Sequence, residues 1–233
     1  MINNLLNELQ KYSSKEKAEI FKKFFKTGKG EYAEGIILIG LTIPKQREIA
    51  KKYQDISLSN LTKLLDSKIH EHRISAGIIL VNKYKKANQE KKQEIFNLYI
   101  KNAKKFNNWD LVDITCTHIV GDFLLDKDRT LLYDLSKSKN LWEQRISIVS
   151  TFEFIRKKDF GDALRIFESL LNHKHDLIHK AIGWMLREIG KRNKEILEDF
   201  LKTNYNKLPR TTLRYSIERF PKEERKKWLK GDY

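Results

Sequence analysis

Apolar residues recur along this chain at intervals of three and four, and no alternating run of strand length stands out. The pattern therefore predicts helices throughout. The clearest stretch runs from Asp176 to Lys191. Ile178, Ile182, Met185 and Ile189 form one apolar stripe, while Lys180, Trp184, Arg187 and Lys191 repeat the same spacing about 200° away around the helix. Trp184 thus points away from the core side, among cations. Either it packs against a neighbouring helix, or it touches a sugar or base while the cations hold phosphates.

Punctuating residues divide the rest. Ser13, Lys15 and Glu16 read as a capping box that opens a helix through Phe24 and Phe25. Gly28, Gly30 and Gly35 mark a loop, and Pro44 opens the next helix. Ser57, Asn88 and Asn140 read as N-caps, and Pro209 and Pro221 as the starts of late helices. A faint repeat underlies this order. Glu71-His72-Arg73-Ile74-Ser75 resembles Glu143-Gln144-Arg145-Ile146-Ser147, with Trp109 midway between the two arginines. The resulting period, near 36 residues, is one helical hairpin. Stacked hairpins predict an all-α superhelical solenoid of antiparallel helix pairs, a single domain over residues 1–233 with one concave face. The spacing would put Arg73, Trp109 and Arg145 at equivalent points on three hairpins, lining that groove.

Charge sharpens the expectation about partners. The formal net charge is +16, from 47 Lys and Arg against 31 Asp and Glu. It favours a polyanion such as nucleic acid or an anionic membrane surface, although charge runs also simply solvate. Cys116 is the only cysteine, which excludes an intrachain disulfide and fits a reducing cytosol. The start lacks the pattern of a signal peptide, and the longest apolar run, around Ile36 to Ile43, is too short to span a bilayer. A soluble, cytoplasmic protein is expected.

Candidate chemistry centres on Asn107-Asn108-Trp109-Asp110-Leu111-Val112-Asp113. Trp109 and Asp113 are one helical turn apart, so their side chains are neighbours. An acid beside an aromatic ring in a basic chain fits a site where positive charge develops on a polyanion. DNA with a labile glycosidic bond is such a substrate. The plainer alternative pairs Asp113 with a lysine, buries Trp109, and leaves Asp110 as a first-turn acid favoured by the helix dipole. Arg145 reads as a phosphate clamp or as a surface ion pair with Glu143 or Glu71. Lys207 to Gly231 carries nine Lys and Arg against three Glu, and its Arg210, Arg214 and Arg219 grip duplex backbone or face solvent. His175 and His179 have chelating spacing, but no Cys lies near and no HExxH occurs, so no metal site is expected. Walker, dinucleotide and GxSxG patterns are absent, and no cofactor is expected. Cys116 and His118, two residues apart, do not face each other as a nucleophile pair would.

These stretches, taken together, resemble the AlkD-like DNA alkylation repair family, bacterial glycosylases built from HEAT-like repeats. The likeness covers most of the chain. It is strongest in Asn107 to Asp113, Trp142-Glu143-Gln144-Arg145, His179 to Glu188, and Pro209 to Tyr215, with Lys29 to Gly35 also similar. The resemblance implies that Asp113 is the catalytic carboxylate and that Trp109 and Trp184 are the active-site rings. It further implies that Arg145 contacts phosphate and that Arg187 is a second cation of the cleft. Lys180, Arg210, Arg214 and Arg73 are further candidates for the DNA backbone. The implied reaction is hydrolysis of the N-glycosidic bond of cationic N3- or N7-alkylated purines, such as 7-methylguanine or 3-methyladenine, in double-stranded DNA. The resemblance also implies that no pocket for an extruded base is needed. Repeat solenoids of this size are often monomers, and a monomer is expected. Ile36-Ile37 after Gly35 departs from the family, where an acid and a longer polar turn are frequent. The alternatives are a non-catalytic binder of damaged, distorted or branched DNA on the same scaffold, and a helical-repeat protein scaffold.

Overall fold

In the computed structural model, which describes residues 1–233, every regular element is a helix. The chain divides by its internal contacts into two units, Met1–Thr115 and Cys116–Tyr233.

The first unit holds α1 (Ile2–Lys11), α2 (Lys15–Phe25), α3 (Ile43–Ala50), α4 (Leu58–Leu65), α5 (His70–Lys86), α6 (Gln89–Lys101) and nearly all of α7 (Trp109–Cys116). α5 is its axis. Every residue from His70 to Val81 is buried, with α1, α3, α4 and α6 packed around it. Each fully buried aliphatic there, such as Ile74 or Ile79, contributes about 1.5–3 kcal/mol. α7 lies so close to α5 that a Cβ on Gly77 would stand 2.9 Å from Leu111 and Thr115 side-chain carbons. A glycine at 77 accommodates that approach without displacing either side chain, and it seats the helix that carries Trp109 and Asp113.

Caps set the helix starts. Ser57, Asn88 and Asn140 accept from Asn60 N, Lys91 N, and Trp142 N with Glu143 N respectively. Each such cap contributes about 1 kcal/mol. α2 departs by one residue from its expected start. Ser14, in extended backbone, accepts from Lys17 N at 3.3 Å. Lys17 then stands at the third helical position, where a capping box needs Glu or Gln, so no box forms.

The second unit holds α8 (Thr130–Ser136), α9 (Leu141–Ser150), α10 (Phe152–Arg156), α11 (Gly161–Leu170), α12 (Asp176–Gly190), α13 (Lys194–Asn204), α14 (Arg210–Ser216) and α15 (Lys222–Lys230). Pro209 and Pro221 immediately precede the last two. α12 packs on α9, α13 and α14. Its stripe of Ile178, Ile182, Met185 and Ile189 is wholly buried, while Lys180, Trp184 and Arg187 stay part-exposed on the other side.

Helices α5, α7, α9, α12 and α14 begin at residues 70, 109, 141, 176 and 210, close to the expected interval. The three marker residues are not equivalent, however. Trp109 opens α7, whereas Arg73 and Arg145 lie within the first turns of α5 and α9. Both arginines are buried, at 4% and 5% exposure, so neither lines an open groove.

Candidate active site

α7 starts where the side chain of Asn108 accepts from Trp109 N at 2.7 Å. One turn on stands Asp113. Both side chains line a cavity of about 360 Å³ in the first unit, together with Phe21, Phe24 and Phe25 of α2. Trp109 stacks on Phe25, with ring centroids 5.6 Å apart and planes 28° apart. Phe24 meets the same indole edge-on, also at 5.6 Å. The indole Nε1–H donates to Tyr32 Oη at 3.2 Å. Tyr32 belongs to the Lys29–Gly35 stretch, so that loop fixes the orientation of Trp109. Periodicity did not find these rings. The one available signal was the adjacent pair Phe24-Phe25, because two consecutive residues on a helix cannot both face one core.

Three acids border the cavity: Glu71, Asp110 and Asp113. Glu71 is 1% exposed and is satisfied by backbone. It accepts from Ile39 N, Gly40 N and Leu41 N at 3.1, 2.9 and 3.3 Å. This cradle depends on Gly40, whose φ of 78° disfavours any side chain. The loop is registered against α5 by an isolated bridge, in which Ile37 N donates to Lys68 O and His70 N to Ile37 O. His70 sits next in line. Arg73 Nη2 donates to His70 Nδ1 at 3.2 Å, which leaves the ring hydrogen on Nε2 facing Asp110, 2.9 Å away. Asp110 is therefore a buried partner of α5 rather than only a first-turn acid.

Arg73 also donates to Ser67 O at 2.6 Å, so its guanidinium is spent inside the protein. Burial lowers its pKa, while Asp110 and Glu71 pull it back up. It stays charged, as guanidinium does in proteins. Burial likewise lowers the pKa of His72, and Arg73 adds to the effect.

The remaining expected residues lie in the second unit. Trp184 is half-buried with Phe152 at 6.1 Å, a ring that the helix pattern did not single out. Arg187 is ion-paired with Glu218, and Lys180 with Asp176 at 2.7 Å. Arg210 donates to Leu229 O at 2.7 Å, and Arg214 is exposed. Arg145 donates to Leu177 O at 2.6 Å and ties α9 to the start of α12. At 5% exposure Arg145 is a mostly buried cation, unlike the exposed clamp expected from its spacing. His175 accepts from Leu177 N through Nδ1 and caps α12, while His173 Nδ1 accepts from His175 N.

A family model described as DNA alkylation repair enzyme matches residues 5–220. The chain belongs to that family. Among solved structures, a predicted DNA alkylation repair enzyme from Enterococcus faecalis is similar in fold, with a TM-score of 0.70 and 17% identity, over 90% of this chain and 97% of that one. AlkD2 from Streptococcus mutans is similar with a TM-score of 0.55 and 16% identity, over 88% of this chain and 97% of that one. No curated protein matches the chain. No helix is long and apolar enough to cross a membrane.

Proposed function

We propose that this repair-family protein is a DNA glycosylase that releases positively charged N3- and N7-alkylated purines from double-stranded DNA. The observation that carries the reading is the pairing of Asp113 with Trp109 on one cavity wall, in a chain of net charge +16. Alkylation leaves the base cationic. When the bond from C1′ to the base nitrogen breaks, its electron pair moves onto the base and neutralises it, so no general acid is required. Positive charge then builds on the deoxyribose, as in other glycoside cleavage. Asp113 stabilises that charge and orients the water whose oxygen bonds to C1′ as a proton leaves. At about 4 Å and an effective dielectric of about 20, the attraction is about 4 kcal/mol. Spent only in the transition state, it corresponds to about a thousandfold in rate.

Trp109 offers an aromatic face to the nucleotide. In the second unit, Trp184 offers an aromatic face to DNA, and Arg187, Lys180, Arg210 and Arg214 hold phosphates. The acid partner of Lys180 is no obstacle, because an exposed ion pair is worth about 0–1 kcal/mol and exchanges readily. Arg73 and Arg145 support the helices instead of touching DNA. The test is base release from a duplex containing 7-methylguanine by wild type and by Asp113→Asn. Release by wild type and its collapse in the variant support the reading; equal release by both, or none by wild type, ends it. Tight, salt-sensitive DNA binding without release would favour a binder of distorted DNA, a role for which the cation-lined clefts alone suffice.

A further inference from the structure

Helix α15 (Lys222–Lys230) follows residues 5–220, the stretch that the family model matches, so the family assignment does not account for it. Lys222, Arg225, Lys226, Lys227 and Lys230 are five of its nine residues, and Trp228 is its one buried residue. Like charges one turn apart, at Lys222, Lys226 and Lys230, oppose the helix. It is nevertheless held firmly. Trp228 is 2% exposed, packs on Phe220, and stacks on Tyr233 with ring centroids 4.4 Å apart. Tyr205 Oη donates to Trp228 O at 2.8 Å, and Arg210 Nη1 donates to Leu229 O at 2.7 Å. The backbone that carries the cations is thus fixed.

A hollow of about 430 Å³ opens beside α14 and α15. Tyr215, Ile217 and Leu229 give it apolar wall, and Arg214, Lys222 and Arg225 are among its cations. The acids nearby are engaged elsewhere. Glu218 pairs with Arg187, Glu224 with Lys194 at 2.6 Å, and Glu223 with Lys226 at 2.8 Å. Arg214 and Lys222 are left without a carboxylate, and Arg225 makes only a long contact to Glu218 O, at 3.5 Å. Cations gathered without acid partners repel one another, and an anion among them relieves that repulsion. A cationic rim over an apolar wall suits a chain in which phosphates alternate with deoxyribose carbons.

We infer that Lys222 and Arg225, at this hollow, form a further contact for the phosphodiester backbone of duplex DNA. Neither residue lines the cavity beside Asp113. The inference rests on DNA as the partner in the reading above and not on the glycosylase chemistry. Arg214 already belongs to the proposed phosphate contacts, and the new surface continues them onto α15. Backbone contacts carry no base information, so this surface serves attachment to any duplex, damaged or not.

The test uses an undamaged duplex, whose binding requires no base release. Across a salt series, Lys222→Gln with Arg225→Gln should reduce the slope of log affinity against log salt by about 2. Lys85→Gln with Lys86→Gln removes the same charge at the opposite end of α5 from His70, and should leave the slope unchanged. Arg225→Lys, which keeps the charge, should retain the wild-type slope. An unchanged slope in the Lys222 and Arg225 variant, or an equal fall in the Lys85 and Lys86 variant, overturns the inference. So does loss of affinity for poly-glutamate with an unchanged duplex slope, which would give the hollow to an acidic protein instead. A wild type that releases no 7-methylguanine but shows the expected slopes keeps this surface and removes the glycosylase.

Discussion

The cavity of Met1–Thr115 and two clefts of Cys116–Tyr233 carry charge of opposite sign. The cavity is bordered by three acids and four rings, without a Lys or Arg. One cleft of the second unit, about 290 Å³, is lined by Arg187, Lys191, Lys194 and Arg219 with a single acid, Glu224. Another, about 430 Å³, is lined by Arg214, Lys222, Arg225 and Lys226 with Glu218. The difference in exposure matters as much as the difference in sign. The acids Glu71 and Asp110 are locked by buried hydrogen bonds, whereas the cleft cations sit in surface pairs such as Lys194–Glu224 at 2.6 Å. The first arrangement is fixed by the fold. The second can exchange one anion for another.

Removing an acid should therefore have opposite consequences in the two regions. Glu71→Ala strands three amides and unbalances Arg73, which costs about 3 kcal/mol. For a chain of this size that lowers the melting midpoint by about 6–12 °C. Glu224→Ala breaks only an exposed pair and should cost less than about 1 kcal/mol. Comparable losses in thermal melts would break the contrast.

The arginines sharpen it next. Replacing Arg187 and Arg214 by Gln should reduce the slope of log affinity against log salt by about 2 for duplex DNA. Arg145→Gln should leave that slope unchanged and lower the melting midpoint by a few degrees, because it strips a donor from the α9–α12 joint. A salt slope that falls with Arg145→Gln would return it to the DNA surface.

The smallest effect is on pH. His72 is held below its ordinary pKa by burial and then by Arg73; His173 is held below by burial and then by His179. Both take up a proton more readily in the unfolded chain, whose histidines titrate near about 6.5. Stability contributed by their neutral forms is present above that pH and is lost as pH falls below it. Melting midpoints measured between about pH 7.5 and 5 should fall, and should fall less in His72→Gln with His173→Gln.

Much of the fold is legible in the sequence because periodicity and caps are local. The stripe of Ile178, Ile182, Met185 and Ile189 reads directly as the buried face of α12, and Asn140 directly as a cap. The turn that joins Trp109 to Asp113 is equally local. What periodicity cannot supply is what covers a face. Arg73 and Arg145 look like surface cations until Ser67 O and Leu177 O are found beneath their guanidinium groups. Tyr32 reaches Trp109 across 77 residues of sequence, and His70 reaches Asp110 across 40. The cradle that holds Glu71 is made of backbone amides, which carry no side-chain signature beyond Gly40.

The central claim is that one carboxylate stabilises the sugar as its bond to a cationic base breaks. Single-turnover base release from 7-methylguanine DNA at saturating protein isolates that step from binding. Asp113→Asn should lower the rate by about a thousandfold while its Kd for the same duplex stays within a few-fold of wild type. A saturated rate within tenfold of wild type, or a loss explained wholly by weaker binding, would contradict it.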